Sequence, residues 1–217
     1  MGPKLHREGR FRTWLGAALG GDAALGDRAW RRIMHTFGAA VLVYYALPDN
    51  FFIVLPKLDV LLAALGVMVV LELLRHAVGL ELPTIRPYER DRIASFLFFS
   101  VALVVAVTLF PLPIGAAVVL GTAIVDPVAG ELRSQGARPL LQVGIPLGAY
   151  GLLTFVSLAA VGGWPAGESA LLALAAAPIA VASEWPKNRW VDDDLVMTVV
   201  PALFLYGAGV VALGLPG

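Results

Sequence analysis

The chain has 217 residues, 59% of them hydrophobic and 15% charged, with a mean hydropathy of +0.80. Soluble domains average about 45–50% apolar and about 25% charged residues, so this composition excludes an ordinary water-soluble globule. Sixteen basic residues balance sixteen acidic ones and there is no cysteine, which argues against bulk nucleic-acid binding and excludes disulfides, thiolate metal sites and cysteine nucleophiles.

Residues 1–30 form a basic N-terminal segment expected on the cytoplasmic side. Its apolar stretch, Trp14–Leu25, is broken by Gly20, Gly21 and Asp22, so it does not read as the core of a cleaved signal peptide. Phe11, Trp14, Leu15, Ala18 and Leu19 recur at helical spacing beside Arg10 and Arg12. That pattern suits a helix lying in the headgroup plane, or a short helix packed on the protein's own cytoplasmic face.

Residues 31–217 read as a single transmembrane helical domain, an all-α polytopic bundle. Apolar runs predict about seven spans, near 33–48, 58–75, 93–110, 114–131, 142–161, 168–183 and 195–214. Turn residues separate them at Pro48-Asp49-Asn50, Pro111-Leu112-Pro113 and Gly162-Gly163-Trp164-Pro165. Several runs are short, which calls for tilt, local thinning or a broken helix. With this count, fifteen of the sixteen lysines and arginines fall on one side and only Lys57 on the other. The positive-inside rule then places the N-terminus in the cytoplasm and the C-terminus outside.

The same cytoplasmic loops hold most of the acids, including Glu72, Glu89, Asp91, Asp126, Glu131, Glu184 and Asp192-Asp193-Asp194. Carboxylates mixed with guanidinium groups at a membrane surface suit a magnesium-nucleotide site, the acids holding the cation and the arginines neutralising phosphate. Surface ion pairs and headgroup-binding arginines produce the same composition.

Four constellations narrow the field. Arg31 and Arg32 precede His35 by four and three residues, one side of a helix, and His35 sits just inside the apolar boundary. An interhelical hydrogen-bonded histidine is its bland counterpart. Glu72 and Arg75 are spaced for an i,i+3 pair, or for a glutamate facing a site. Between them and span three, Arg86, Tyr88, Glu89, Arg90, Asp91 and Arg92 form either a solvated connector or a lid over phosphates. Finally, Asp126-Pro127 is expected to interrupt span four, because proline disfavours helical backbone at the preceding residue. Asp126 would cap a new helix starting at Pro127, with Ala129 and Gly130 leaving room for a ligand. Of the triplet Asp192-Asp193-Asp194, one member is needed as a helix cap before span seven.

Taken in order, Arg31-Arg32-x-x-His35, Glu72-Leu73-Leu74-Arg75, Tyr88-Glu89-Arg90 with Ala94-Ser95, Asp126-Pro127-Val128-Ala129-Gly130 and Asp192-Asp193-Asp194-Leu195 resemble the polyprenol (dolichol) kinase family. Its relatives include phytol kinases and a CTP-dependent diacylglycerol kinase, and the resemblance covers residues from about 30 to 205. It implies transfer of the γ-phosphate of CTP to the hydroxyl of a membrane isoprenoid or related lipid alcohol, with a divalent cation. Arg31, Arg32 and Asp126 match the family's basic pair and acidic motif. The chain departs from the family after the aspartate. Residues 132–138 hold Gly136 and Arg138 but no lysine, and Lys-x-Glu-Gly is absent.

Neither common soluble nucleotide cradle is present in the sequence, so phosphoryl transfer here would rest on positioning, magnesium and arginines. On that expectation Mg²⁺ bridges nucleotide phosphates and Asp126, with help from Glu131 or the Asp192–Asp194 cluster, of which Asp192 and Asp193 are the candidate ligands. Arg31, Arg32, Arg86, Arg90 and Arg138 hold phosphate oxygens, near Gly130. His35 or a carboxylate accepts the proton of the lipid hydroxyl. The alcohol arrives from the bilayer and the nucleotide from the cytosol. Rival readings are a CTP-dependent cytidylyltransferase making a CDP-lipid, a small transporter with Asp126 and His35 in its path, and a catalytically silent scaffold.

Overall fold

The computed structural model describes residues 23–51, 55–79, 85, 89, 91–183 and 191–216. The proposed interfacial helix of the N-terminal segment lies almost wholly outside these residues, as do Arg86, Arg90, Glu184, Lys187 and Arg189.

The described chain is nearly all helical. Helix α1 spans Ala23–Gly38 and tightens into a 3-10 segment, Ala39–Tyr45. A two-residue antiparallel pair follows, β1 (Asn50–Phe51) with β2 (Leu55–Pro56), which the apolar pattern does not foreshadow. Helix α2 covers Lys57–Val78. It carries Asp59 in its first turn and Arg75 and His76 in its last, each opposing the helix dipole, and ends at Gly79 with φ 66°. Helix α3 is Ser95–Leu109.

The next five helices complete the bundle. Helix α4 (Leu112–Leu120) runs through a π-helical turn, Gly121–Val125, into α5 (Asp126–Ser134) without a break. Helix α6 (Pro139–Val156) continues through π residues Ser157–Val161, and α7 is Ala166–Ser183. Helix α8 (Asp193–Leu205) ends in a π segment, Tyr206–Ala212.

Among the described residues, four continuous helices are long and apolar enough to cross a bilayer: Leu112–Ser134, Pro139–Val161, Ala166–Ser183 and Asp193–Ala212. At 1.5 Å per residue, even an 18-residue helix reaches about 27 Å, close to the ~30 Å hydrocarbon core. Their outward faces present large apolar side chains such as Leu140, Leu152, Leu174, Leu203 and Val211. Large apolar side chains exposed along long apolar helices suit contact with lipid. All seven expected apolar segments are helical, although α3, with 15 residues, is short.

The α4–α5 helix occupies the centre, packed by α3, α6, α8 and the 3-10 segment. Its residues Pro113–Val119 are all buried, as expected of a helix apolar on every side. Close approach comes from small residues. Any side chain at Gly121 would overlap the ring of Tyr150 on α6. Ala173, Ala176, Ala177 and Ala180 line the inner face of α7, and a methyl added at Gly151 would stand 3.7 Å from the Ala177 methyl.

One expectation fails at the centre of the molecule. Asp126 does not interrupt the fourth segment and is not a helix cap: its backbone is helical, with φ −59° and ψ −50°. The π turn before it explains why. A wider turn relieves the clash that proline imposes on the residues one turn back, so the helix passes through Asp126-Pro127 unbroken. Pro127 has no N–H to offer Ala123, and the carbonyl of Ala123 instead accepts a long 3.5 Å bond from the Thr36 hydroxyl on α1.

Candidate functional site

Three side chains from distant parts of the chain meet at one end of the bundle. His35 comes from α1, Asp126 from the start of α5 and Asp194 from the first turn of α8. His35 Nε2 lies 3.2 Å from Asp194 Oδ2, 3.4 Å from Asp194 Oδ1 and 3.8 Å from Asp126 Oδ2. Asp194 and His35 are buried, whereas the Asp126 carboxylate is a quarter exposed and forms the open side of the cluster.

Local structure fixes each member. His35 stacks on the Phe99 ring of α3, with centroids 4.6 Å apart, and Gly38 one turn on lets that ring approach. Asp192 has extended backbone and caps α8, its Oδ1 accepting from the Asp194 amide at 3.3 Å. Capping turns Asp194 inward, onto the same buried stripe as Met197, Thr198, Pro201 and Ala202. A threonine then stands close in sequence to each of the three. Thr36 follows His35 and reaches the Ala123 carbonyl. Thr122, one turn before Asp126, lies 2.7 Å, hydroxyl to hydroxyl, from Thr198, one turn after Asp194. The Thr198 hydroxyl also lies 2.8 Å from the Asp194 carbonyl, and that of Thr122 lies 3.0 Å from the Val118 carbonyl. Such second-layer bonds hold ligand-bearing helices in register.

Around this centre the remaining candidates separate. Arg32 pairs with Glu131, both about one-third exposed, beside the cluster. Glu131 also accepts from Gln135, so its bonds face Arg32 and the surface, not His35. Asp192 is committed to its cap and to Ser95, whose hydroxyl lies 2.9 Å from Asp192 Oδ2 and 2.7 Å from Glu89 Oε1. That hydroxyl's single proton serves one of the two carboxylates at a time. Asp193 is half-buried and groups with Asp192 and Asp194, with one oxygen from each within 4.8 Å of the others. Gly130 opens onto free space, and Arg138 is exposed at the turn into α6. The side chain of Arg31 lies outside the described residues, along with Arg86 and Arg90.

The Glu72–Arg75 pair has a structural task. Arg75 donates to both Glu72 oxygens at 2.8 and 2.7 Å and to the Arg92 carbonyl, while Glu72 Oε1 accepts from the Ala94 amide at 2.9 Å. The pair thus pins residues 92–94 to the end of α2 and sets where α3 begins. Above that junction lies a half-open cleft of about 380 Å³, lined by His76, Asp91, Arg92, Phe98, Val191 and Asp192. Its volume is within the range of small-molecule sites, about 300–1,000 Å³. Asp192 belongs to the cleft and, through its cap on Asp194, adjoins the His35 cluster.

The donor set of the cluster, one imidazole and two carboxylates, fits a divalent cation: the three ligand atoms lie within 4.8 Å of one another. Phe99 is outside the sequence motifs, whereas Glu89, Ser95 and Asp194 lie within them without an individual role in the expected site. For Asp194 a signal exists in the sequence, the inward stripe 194, 197, 198, 201, 202 that follows once Asp192 is taken as the cap. Comparison of the chain with protein-family models, with curated proteins and with solved structures finds no match.

Proposed function

We propose that the chain is a multi-pass membrane enzyme that transfers the γ-phosphate of CTP to an isoprenoid-type lipid alcohol, of the dolichol or polyprenol kind, at the cytoplasmic face. In this reading the seven helical segments are seven spans, with the N-terminus in the cytoplasm and the C-terminus outside. The observation that carries it is the meeting of His35, Asp126 and Asp194 at one end of an apolar bundle. Arg32 stands beside them and a nucleotide-sized cleft adjoins them.

The alcohol oxygen attacks the γ-phosphorus, the bond to the β-γ bridging oxygen breaks, and CDP leaves. The proton of the hydroxyl passes to one of the three clustered side chains. Bound Mg²⁺ would supply charge neutralisation on the phosphate oxygens. Asp126 and Asp194 are the carboxylates that would hold it, and Arg32 would take a phosphate oxygen by exchanging its Glu131 partner. Support for the lipid as acceptor comes from position: the cluster lies where helices with lipid-compatible outer faces end, so a hydroxyl beneath an apolar tail reaches it from the bilayer.

The test is incubation of reconstituted protein with γ-labelled CTP, Mg²⁺ and a panel of lipid alcohols, with ATP, GTP and UTP for comparison. Label in the lipid that disappears in Asp126→Asn supports the reading. A parallel arm with α-labelled CTP and a phosphatidate-type lipid tests the rival: label in the lipid there would instead indicate cytidylyl transfer, and no labelled lipid in either arm would refute both.

A further inference from the structure

We propose that His35 Nε2 is itself a metal ligand, joining one carboxylate oxygen each from Asp126 and Asp194 in an N,O,O site that favours manganese(II) over magnesium. The inference rests on the reading of this cluster as a cation site and adds the identity of its third ligand and the class of its cation.

Donor atoms from three helices converge on one point. Three carboxylate oxygens from two residues approach one ring nitrogen, at 3.2, 3.4 and 3.8 Å. Neutral imidazole offers one in-plane lone pair and each carboxylate oxygen offers its own, so the three residues present an N,O,O donor set whose ligand atoms lie within 4.8 Å of one another. A cation takes a lone pair from each of these residues. Ligands about 2.1 Å from a metal and at right angles to one another lie about 3 Å apart. The His35–Asp194 separation is near that value, and a small rotation of the part-exposed Asp126 side chain brings its oxygen in from 3.8 Å.

Rigidity favours the same conclusion. The ring plane of His35 is held by Phe99, and the helices bearing the three ligands are tied together through Thr36, Thr122 and Thr198. This is the kind of second layer that ligating residues require. An all-oxygen set suits magnesium, whereas an imidazole nitrogen shifts preference toward transition metals. The Asp126 side chain is a quarter exposed, so phosphate oxygens or water would reach a bound cation from its side.

The experiment uses the full chain in detergent or nanodiscs with Mn²⁺ alone, without nucleotide or lipid, and reads pulsed electron paramagnetic resonance. One bound Mn²⁺ per chain with a nitrogen-14 coupling from a single imidazole is expected. His35→Gln should abolish that coupling and weaken Mn²⁺ at least tenfold. Asp126→Asn should weaken Mn²⁺ but keep the coupling, which shows that the site still assembles. His76→Gln should change neither. The proposal is overturned by wild-type Mn²⁺ bound without nitrogen coupling, by coupling that persists in His35→Gln, or by no binding at millimolar Mn²⁺. Because no turnover is needed, a positive result stands even if no alcohol is phosphorylated, and labelled lipid without a nitrogen-coupled ion would sink this inference alone.

Discussion

Asp192, Asp193 and Asp194 are identical in chemistry and adjacent in sequence, yet the fold gives them different tasks. The first caps α8, the second stays half-buried, and the third turns into the bundle against His35. The proposed activity should therefore respond unequally to their replacement. Asp194→Asn is expected to lower phosphoryl transfer by about 100-fold or more, the scale seen when one charge-stabilising group is removed from a site. Asp193→Asn should lower it far less, in the same labelled-lipid assay on purified protein of matched monodispersity. Asp192→Asn keeps a side-chain oxygen for the cap and should retain the thermal stability that Asp192→Ala loses, about 1 kcal/mol by the usual value of an N-cap. Equal losses at 193 and 194 would remove the basis for singling out the inward residue.

At the scale of elements, the π turn Gly121–Val125 delivers Asp126 to the cluster, and its neighbours make separable predictions. Gly121→Ala should destabilise strongly, because a methyl there overlaps the buried Tyr150 ring of α6. Tyr150→Phe should leave the melting temperature unchanged or raise it. The Tyr150 hydroxyl is buried without a hydrogen-bond partner among the described residues, so removing it forfeits no bond. A thermal-shift comparison in one detergent decides both, and a large loss in Tyr150→Phe would reveal a partner for that hydroxyl.

The π turn also marks where the sequence becomes hard to read. Apolar run length locates all seven helical segments, since a backbone surrounded by apolar side chains must satisfy its own hydrogen bonds. The Asp126-Pro127 dipeptide points instead to a break, because the propensity of a residue before proline is local whereas its relief, a widened turn packed against α1 and α6, is tertiary. The site was legible in part for the same reason. His35, Arg32 and Asp126 stand out as ionisable groups beside apolar runs. That His35 meets Asp194, 159 residues away, depends on how α1 and α8 flank the central helix, which no local pattern encodes. Glu131 has ligand chemistry, but its pairing with Arg32 turns it outward.

For the whole molecule, the four apolar helices long enough to span a bilayer set the frame, and the proposed orientation puts the cluster and the cleft on the cytoplasmic side. The cysteine-free sequence makes this directly testable. Single cysteines placed at Asp49, in the turn before β1, and at Gln135, between α5 and α6, should label differently with an impermeant maleimide in intact cells. Asp49→Cys should react from outside, and Gln135→Cys only after permeabilisation. Both reacting from one side would contradict the alternating topology that brings lipid and nucleotide to the same face.

In the proposed function the His35–Asp126–Asp194 end of this bundle phosphorylates a lipid alcohol. The most direct measurement is phosphate transfer from γ-labelled CTP to a polyprenol-type alcohol by the reconstituted protein, with Asp194→Asn as the control. The account predicts labelled polyprenyl phosphate from the wild-type chain and at least about 100-fold less from the variant. Equal labelling by wild type and variant would show that the cluster does not perform the transfer, and no labelled alcohol under any nucleotide would contradict the claim itself.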